Sequence, residues 1–342
     1  MTEYESINDY ELFDLGDVVL HEGTTLRGAK LAYKTHGTLN ENKDNVIVFP
    51  TYYSGTHKDD EYMIGPGMAL DPEKYFIIQI NQLGNGLSSS PNNMAAPYNQ
   101  GSFPNVTTLD NVKCQHRLVT EHFGIETIKL VCGYSMGAQQ TFQWAAEFPD
   151  MVERMAPWCG TASTTKHNYV FLEAVRNAIM TDAAWQGGYY DKQPERGIRT
   201  LARVYAGWGV SQPFYYEELY LKHGFSSLED FLVGFWEGFF LSKDANCLLS
   251  MAWTWQHSDI GMTTGCDGDR EKALSGIKAK AMILPGETDL YFLASDIERE
   301  AALIEGAEFR VVPGVYGHFA GIGFNEPDTQ FINDAIQELL DK

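Results

Sequence analysis

Compact apolar runs alternate with helical patterns over the first 160 residues of the chain. Residues 45–49 (NVIVF), 75–80 (YFIIQI) and 127–132 (TIKLVC) are typical of strands buried on both faces of a parallel sheet. Shorter β-like bursts occur at 18–20 and 30–33, and residues 109–123 space their apolar positions at helical intervals. Strands that alternate with helices predict βαβ units, and therefore an α/β fold.

The pattern changes after about residue 160. Residues 161–269 are helical in pattern, punctuated by glycine and rich in aromatic residues, as in FLVGFWEGFF and MAWTWQ. Short strand patterns return at 279–284 (AKAMIL) and 308–312 (EFRVV), and an amphipathic helix is predicted over 329–340. We therefore predict a core domain, 1–160 and 270–342, interrupted by a helical subdomain at 161–269. Most rings of the insertion are expected to pack its own core, and a minority to wall an apolar pocket.

Composition narrows the class of protein. The 342 residues include 25 Lys+Arg and 46 Asp+Glu, which gives a net charge of −21, and 44% of them are hydrophobic. This is too apolar for a disordered chain, and the negative charge argues against nucleic-acid or anionic-membrane partners. No apolar run approaches the roughly 20 residues of a membrane span.

The N-terminus and the cysteines indicate a cytoplasmic protein. The N-terminal sequence MTEYESINDYELFDLGD is acidic and has no basic start followed by an apolar stretch, so no signal peptide is expected. The five cysteines, at positions 114, 132, 159, 247 and 266, are scattered and form no CxxC pair, which is typical of reduced thiols rather than disulfides or zinc ligands. No motif implies a metal or an organic cofactor.

One motif carries chemistry. Residues 133–137 (GYSMG) match G-x-S-x-G, directly after the strand pattern TIKLVC and directly before the helical stretch AQQTFQWAAEF. A sharp strand-to-helix turn of this kind presents its serine as a nucleophile, with glycines relieving the crowding. Ser135 is therefore the predicted nucleophile.

A serine hydroxyl needs a base to accept its proton, and the base needs an acid to orient it. In this arrangement the chain order is Ser, then Asp or Glu, then His. The loop after AKAMIL carries Glu287 and Asp289, and the loop after EFRVV carries His318. Both loops follow strands, where α/β sheets place their sites. We predict His318 as the base and Asp289 as the acid, with Glu287 as the alternative acid.

Attack of the serine on a carbonyl group turns the carbonyl oxygen into an oxyanion, which must also be stabilised. The amide of Met136, at the start of the predicted helix, is one expected donor, and the second should come from the loop after an early strand. Here that loop is 50–55 (PTYYSG), after NVIVF.

Longer segments carry a resemblance to a known family. They are GPGMALDPEKYFII, NQLGNGLSSSP, FPNVTTLDNVKCQHRL, GYSMGAQQTFQWA, RNAIMTDAAWQGGYY, LARVYAG and ETDLYF. Through them the chain resembles the homoserine O-acetyltransferase family of α/β-hydrolases nearly from end to end. The resemblance implies an α/β-hydrolase fold, with a mostly parallel sheet flanked by helices and an inserted helical lid. It implies a triad of Ser135, Asp289 and His318, and Tyr53 as the second oxyanion donor. It also implies a homodimer formed through the lid helices.

The same resemblance bears on the acyl acceptor. Arg203 in LARVYAG matches the family's substrate-binding arginine, but Val210 stands where a tyrosine is expected. Phe319 replaces an aspartate suited to holding an amino group, and Phe319 is therefore expected to contact the substrate. Two polar groups that could bind an amino-acid acceptor are thus replaced by apolar ones.

Three functions follow as alternatives. The favoured one is a serine esterase that hydrolyses short acyl esters, acetates first, as the family also includes ester-hydrolysing members. The second is a homoserine O-acetyltransferase, with acetyl-CoA as donor and homoserine or a related hydroxy-amino acid as acceptor. The third is a non-catalytic scaffold, which the complete set of Ser, Asp and His disfavours.

Overall fold

A mixed sheet of eight strands forms the centre of the molecule, which is described by a computed structural model over residues 9–342. Residues 1–8, which begin the acidic segment where no signal peptide is expected, lie outside the described part. The strands are β1 (Glu11–Val19), β2 (Thr25–His36), β3 (Val46–Pro50), β4 (Phe76–Ile80), β5 (Leu130–Tyr134), β6 (Arg154–Trp158), β7 (Lys280–Ile283) and β8 (Glu308–Phe309). Their spatial order is β1-β2-β4-β3-β5-β6-β7-β8. The β1–β2 and β2–β4 pairs are antiparallel, and all later pairs are parallel.

Helices cover the sheet and form the insertion. They are α1 (His57–Asp60), α2 (Thr108–Arg117), α3 (Met136–Glu147), α4 (Lys166–Met180), α5 (Glu195–Gly209), α6 (Gln212–Tyr216), α7 (Leu228–Asp230), α8 (Gly238–Leu241), α9 (Ala245–Gln256), α10 (Arg270–Ser275), α11 (Ala294–Ala301) and α12 (Glu326–Asp341). Two π-helical segments, Leu118–His122 and Phe231–Glu237, continue α2 and α7. In residues 9–342 no helix is long and apolar enough to cross a bilayer.

The alternation of side chains along the strands explains why both faces are covered. In β3, Val46 and Val48 belong to the core under α2, α3 and the insertion, whereas Ile47 and Phe49 belong to the core under α12. All five residues of β3 are buried, as the run NVIVF predicts. Burial on both faces leaves only the strand ends open for a site.

The predicted α/β fold class, a mostly parallel sheet flanked by helices, is confirmed. The strand patterns at 45–49, 75–80 and 279–284 match β3, β4 and β7 to within one residue at each end. The helix predicted at 109–123 is α2 plus its π-helical continuation, and the helix predicted at 329–340 begins three residues earlier, with a proline in its first turn.

Strand β6 has no counterpart among the predicted strands. Its sequence RMAPW contains an arginine and a proline, so it lacks the β-branched run that marks its neighbours, yet every residue is buried. It pairs in parallel with both β5 and β7. Helices α4 to α9 lie between β6 and β7, within the stretch where sequence predicts the inserted subdomain.

Candidate active site

Ser135 occupies a tight turn between β5 and α3. It is the N-cap residue of α3 and has φ 57° and ψ −118°, a conformation that non-glycine residues adopt rarely. A Cβ atom on Gly133 would lie 2.5 Å from the backbone of Gly137, and one on Gly137 would lie 2.5 Å from the carbonyl oxygen of Pro50. Close backbone contacts therefore require both glycines of G-x-S-x-G. They explain why the sharp strand-to-helix turn predicted from the sequence, here called the elbow, forms at Ser135.

The structure brings Ser135, His318 and Asp289 together from three loops. His318 Nδ1 lies 2.6 Å from Asp289 Oδ2, and His318 Nε2 lies 2.9 Å from Ser135 Oγ. Because a carboxylate only accepts, Nδ1 carries the proton and donates it, which leaves Nε2 free to accept from the serine hydroxyl. All three side chains are buried. This is the geometry of a nucleophile, a general base and an orienting acid.

Asp289, rather than Glu287, contacts the histidine. Asp289 Oδ1 accepts from the amides of Tyr291 at 2.8 Å and Phe292 at 3.2 Å, and these two bonds fix which oxygen faces His318. Glu287 is exposed, and its Oε2 accepts from the amide of Gly314 at 3.0 Å. The alternative of Glu287 as the orienting acid is therefore inconsistent with the structure.

The two predicted oxyanion donors flank the serine. Met136 is the first residue of α3, so its amide is one of the helix N-terminal amides that have no intrahelical partner. Tyr53 lies in the loop after β3 and lines the same cavity as Ser135. Within residues 9–342, neither amide has a protein acceptor. Both N–H groups are thus available for an oxyanion.

A small cavity of about 70 Å³, partly open to solvent, lies against Ser135 and His318. Its lining residues in the described part of the chain are Tyr52, Tyr53, Ser54, Tyr134, Ser135, Tyr205, Phe235, Trp236, Phe239, Phe240, His318, Phe319 and Ile322. None of them is Asp, Glu, Lys or Arg. Burial raises the pKa of the Tyr53, Tyr134 and Tyr205 hydroxyls well above the usual value, so these phenols stay neutral. The cavity therefore presents a neutral, aromatic wall.

Phe319 lies in this wall, as the resemblance implied. It stacks on Trp236 with ring centroids 5.0 Å apart and contacts Phe235 edge-on at 5.6 Å. Val210 is buried at the end of α5 and does not line the cavity. Its backbone packs under the turn before His318, where a Cβ on Gly317 would lie 2.9 Å from the Val210 Cα.

Arg203, predicted to bind substrate, does not reach the cavity. Its guanidinium pairs with Glu229 at 2.5 Å and with Glu237 at 2.7 Å, and it borders a separate, open groove along α5. Glu237 is buried and also pairs with Arg199 at 2.5 Å. Arg203 thus anchors the end of the π-helical segment Phe231–Glu237 rather than contacting the space beside Ser135.

Several residues of the site were not predicted from the sequence. Phe235 and Trp236 enter the cavity from the π-helical segment, a local widening of the helix that periodicity alone does not indicate. The hydroxyl of Tyr134 donates to the carbonyl oxygen of His318 at 3.1 Å and so holds the turn that carries the base. A Cβ on Gly160 would lie 2.6 Å from the carbonyl oxygen of Ser135. For Phe235 and Trp236, the signal in the sequence is the aromatic richness of the insertion.

One cluster outside the site has the residue types of a metal site. Asp9, His57 and Glu61 place their ligand atoms within 4.8 Å of one another. The ammonium of Lys34 lies 2.5 Å from both carboxylates, so a cation of the protein's own already compensates their charge. Its hydrogen bond to Asp9, together with that of His57, holds the pKa of the Asp9 carboxyl below its usual range. The cluster therefore serves as an ion-pair network at the surface, in which His57 alone of the four is buried.

Comparison with known proteins identifies the family of the chain. Residues 44–323 match the family described as alpha/beta hydrolase fold, which is more than half of the chain. The chain belongs to the α/β-hydrolase family. The ethyl acetate hydrolase of Pseudomonas veronii is 41% identical to this α/β-hydrolase over 98% of the chain and 97% of its own length.

Solved structures extend the comparison. An acetylester hydrolase from Corynebacterium glutamicum superimposes with a TM-score of 0.95, at 41% identity, over 97% of this α/β-hydrolase and 96% of that chain. A homoserine O-acetyltransferase from Bacillus anthracis superimposes with a TM-score of 0.85, at 27% identity, over 97% of both chains. The resemblance to homoserine O-acetyltransferases is confirmed, and the esterases are the more similar relatives. The predicted class, a serine hydrolase of this superfamily, is confirmed as well.

Proposed function

We propose that this α/β-hydrolase hydrolyses short-chain carboxylic esters of small neutral alcohols, acetates above all, through an acyl-enzyme on Ser135. The observation that carries the proposal is the neutral aromatic cavity beside the Ser135–His318–Asp289 arrangement. A neutral ester can enter such a cavity without leaving a charge unpaired. Homoserine would bring an ammonium and a carboxylate into the cavity. Burying either charge without a partner costs on the order of several kcal/mol or more.

Acylation begins with the hydroxyl of Ser135. As Oγ attacks the ester carbonyl carbon, its proton passes to His318 Nε2, and the carbonyl electron pair becomes an oxyanion. The amides of Tyr53 and Met136 stabilise that oxyanion, and Asp289 stabilises the imidazolium through Nδ1. Collapse of the intermediate breaks the bond to the alcohol oxygen, which takes the proton from Nε2. The acyl group is then esterified to Ser135.

Deacylation repeats these steps with water. His318 Nε2 accepts a proton from a water molecule as its oxygen attacks the acyl carbon, and the same amides hold the second oxyanion. The proton on Nε2 then returns to Ser135 Oγ as the carboxylic acid departs. The first and last proton transfers, from Ser135 Oγ to His318 Nε2 and back, use the 2.9 Å contact between the two side chains.

The partition of the acyl group between water and an acceptor tests the proposal. The protein is given a small activated acetate ester and excess L-homoserine, and acetate and O-acetylhomoserine are quantified by mass spectrometry. We expect nearly all the acetyl group on water, because the described residues of the cavity wall include no Asp, Glu, Lys or Arg that could bind the amino acid. Substantial O-acetylhomoserine, or transfer from acetyl-CoA to homoserine, would instead establish the transferase alternative.

A homodimer through the lid helices is part of the same proposal. Tyr216 is 89% exposed, and Leu221, Leu228 and Val233 on the neighbouring segments are also exposed, so a dimer interface could cover apolar side chains there. We expect sedimentation equilibrium at micromolar concentration to give twice the mass of one chain, and Tyr216→Ser to shift it toward the monomer. A monomeric wild-type protein would contradict this part of the proposal.

A cytoplasmic location is supported by the thiols. All five cysteines are free, and four of them are buried in the core. Free thiols in this number are typical of a reducing compartment. Recovery of the native protein from a secreted or periplasmic fraction would contradict this location.

A further inference from the structure

The loop that carries Tyr53 is held by amide side chains from outside it. The carbonyl oxygen of Thr51 accepts from Gln140 Nε2 at 2.8 Å, and that of Tyr52 accepts from Gln82 Nε2 at 3.1 Å. Gln82 lies two residues after β4, and Thr51 directly follows β3, the parallel partner of β4. The backbone amide of Gln82 also donates to Thr51 Oγ1 at 3.2 Å, which ties the two strand ends together.

Gln82 contacts the same peptide group that supplies the oxyanion donor. The carbonyl of Tyr52 and the N–H of Tyr53 belong to one planar peptide unit, and in the trans form they point in opposite directions. Since the only cis bond in residues 9–342 is Ala96–Pro97, this unit is trans. A donor fixed on the Tyr52 oxygen therefore aims the Tyr53 N–H away from Gln82. The amide of Gly55 also donates to that oxygen, at 3.1 Å, so two hydrogen bonds polarise the unit.

The other half of the Gln82 side chain has no partner. Gln82 is fully buried, and its Oε1 makes no hydrogen bond among the described residues. The two ends of the amide cannot exchange, because Oε1 facing the Tyr52 oxygen would oppose two acceptors. A buried oxygen without a donor lowers stability, so packing alone does not account for glutamine here. What the side chain supplies is its single N–H bond to the oxyanion loop.

We propose that Gln82 is a positioning residue for ester hydrolysis, which sets the direction of the Tyr53 N–H toward the oxyanion. The inference rests on the proposed function, because it assigns Gln82 a role in the same reaction. Gln82 touches neither the substrate nor Ser135, and it acts only through the Tyr52–Tyr53 peptide. Its effect therefore belongs to the tetrahedral intermediate and not to ground-state binding.

The test compares Gln82→Met with Gln139→Met. Gln139 is a matched control because it is also buried, its Oε1 also lacks a partner, and its Nε2 donates to Thr164 Oγ1 at 3.1 Å, away from the oxyanion loop. We expect Gln82→Met to lower kcat roughly 10- to 100-fold with little change in KM, somewhat less than the loss of an oxyanion donor outright. Gln139→Met should retain the wild-type kcat.

A second measurement, inhibition by trifluoroacetone, reports the stabilisation of the oxyanion separately from turnover. Trifluoroacetone forms a hemiketal in which Ser135 Oγ bonds to the carbonyl carbon, the serine proton moves to His318 Nε2, and the carbonyl electrons form an oxyanion. Its Ki should rise in Gln82→Met by the same factor by which kcat falls. Gln82→Glu gives a further signature, because a protonated carboxyl can donate to the Tyr52 oxygen and a carboxylate cannot. Its rate relative to wild type should rise as the pH is lowered.

The outcomes separate this inference from the proposed function. If Gln82→Met has the wild-type kcat and Ki while Ser135→Ala is inactive, the role of Gln82 is overturned and the esterase proposal stands. If Ser135→Ala retains the wild-type rate, the proposed function itself fails. If Gln82→Met does not fold, Gln82→Glu decides, and a ratio to wild type that does not change with pH overturns the inference.

Discussion

Replacing Ser135 with alanine should lower kcat for a short acetate ester by about 10⁶-fold, by analogy with other triad knockouts. The acyl-enzyme cannot form without Oγ, and the oxyanion amides and the cavity alone leave only a small residual rate. The fold should persist, since among residues 9–342 the Oγ of Ser135 makes its hydrogen bond only to His318, and alanine accommodates the backbone as well as serine does. Steady-state kinetics together with urea unfolding measure both effects.

Labelling by a fluorophosphonate provides an independent measure of the same nucleophile. The wild-type protein should incorporate one equivalent, and Ser135→Ala none. Ser275→Ala is a suitable control, because Ser275 is an exposed residue at the end of α10 and should leave labelling and turnover unchanged. An unlabelled wild-type protein would favour the non-catalytic scaffold, and a Ser135→Ala variant with a tenth of the wild-type rate would refute the assignment.

The elements that the sequence predicts well are those in which local pattern and tertiary role agree. Buried strands such as β3 carry continuous β-branched runs, and the elbow at Ser135 needs its two glycines within one short segment. The order of nucleophile, acid and base along the chain then limits the partners to two loops. Asp289 and His318 could be predicted because each follows directly on a strand pattern at the carboxyl edge of the sheet.

The parts that could not be predicted depend on contacts between distant segments. Strand β6 is defined by pairing with its neighbours and not by its own composition. Arg203 does not have the substrate-binding position that the resemblance implied. Its guanidinium instead pairs with Glu229 and Glu237, which are 26 and 34 residues away in the sequence. Gln82 has no distinguishing local pattern, and its relation to Tyr53 appears only when β3 and β4 are aligned. For this site, the sequence predicts the backbone elements better than it predicts which side chains from distant segments contact one another.

Replacing Asp289 with asparagine should lower kcat by about 10⁴-fold, a loss typical of this change in serine triads. The cause is the direction of the hydrogen bond between residue 289 and His318 Nδ1, which the contacts of the other side-chain oxygen determine. The amides of Tyr291 and Phe292 both donate to Oδ1, so an asparagine must keep its oxygen there and turn its NH₂ group toward His318. That group would donate to Nδ1, which would place the histidine proton on Nε2. A protonated Nε2 in neutral histidine cannot accept the proton of Ser135.

Glu287→Gln is the matched control for that prediction. It makes the same chemical change two residues away, and the glutamine oxygen can still accept from the amide of Gly314, as Glu287 does at 3.0 Å. Its kcat should therefore equal that of the wild type, and both variants should unfold at nearly the wild-type urea concentration. A large loss in Glu287→Gln combined with a small one in Asp289→Asn would reverse the two acids. Equal losses in both would mean that the 313–317 loop, rather than the charge beside His318, controls the rate.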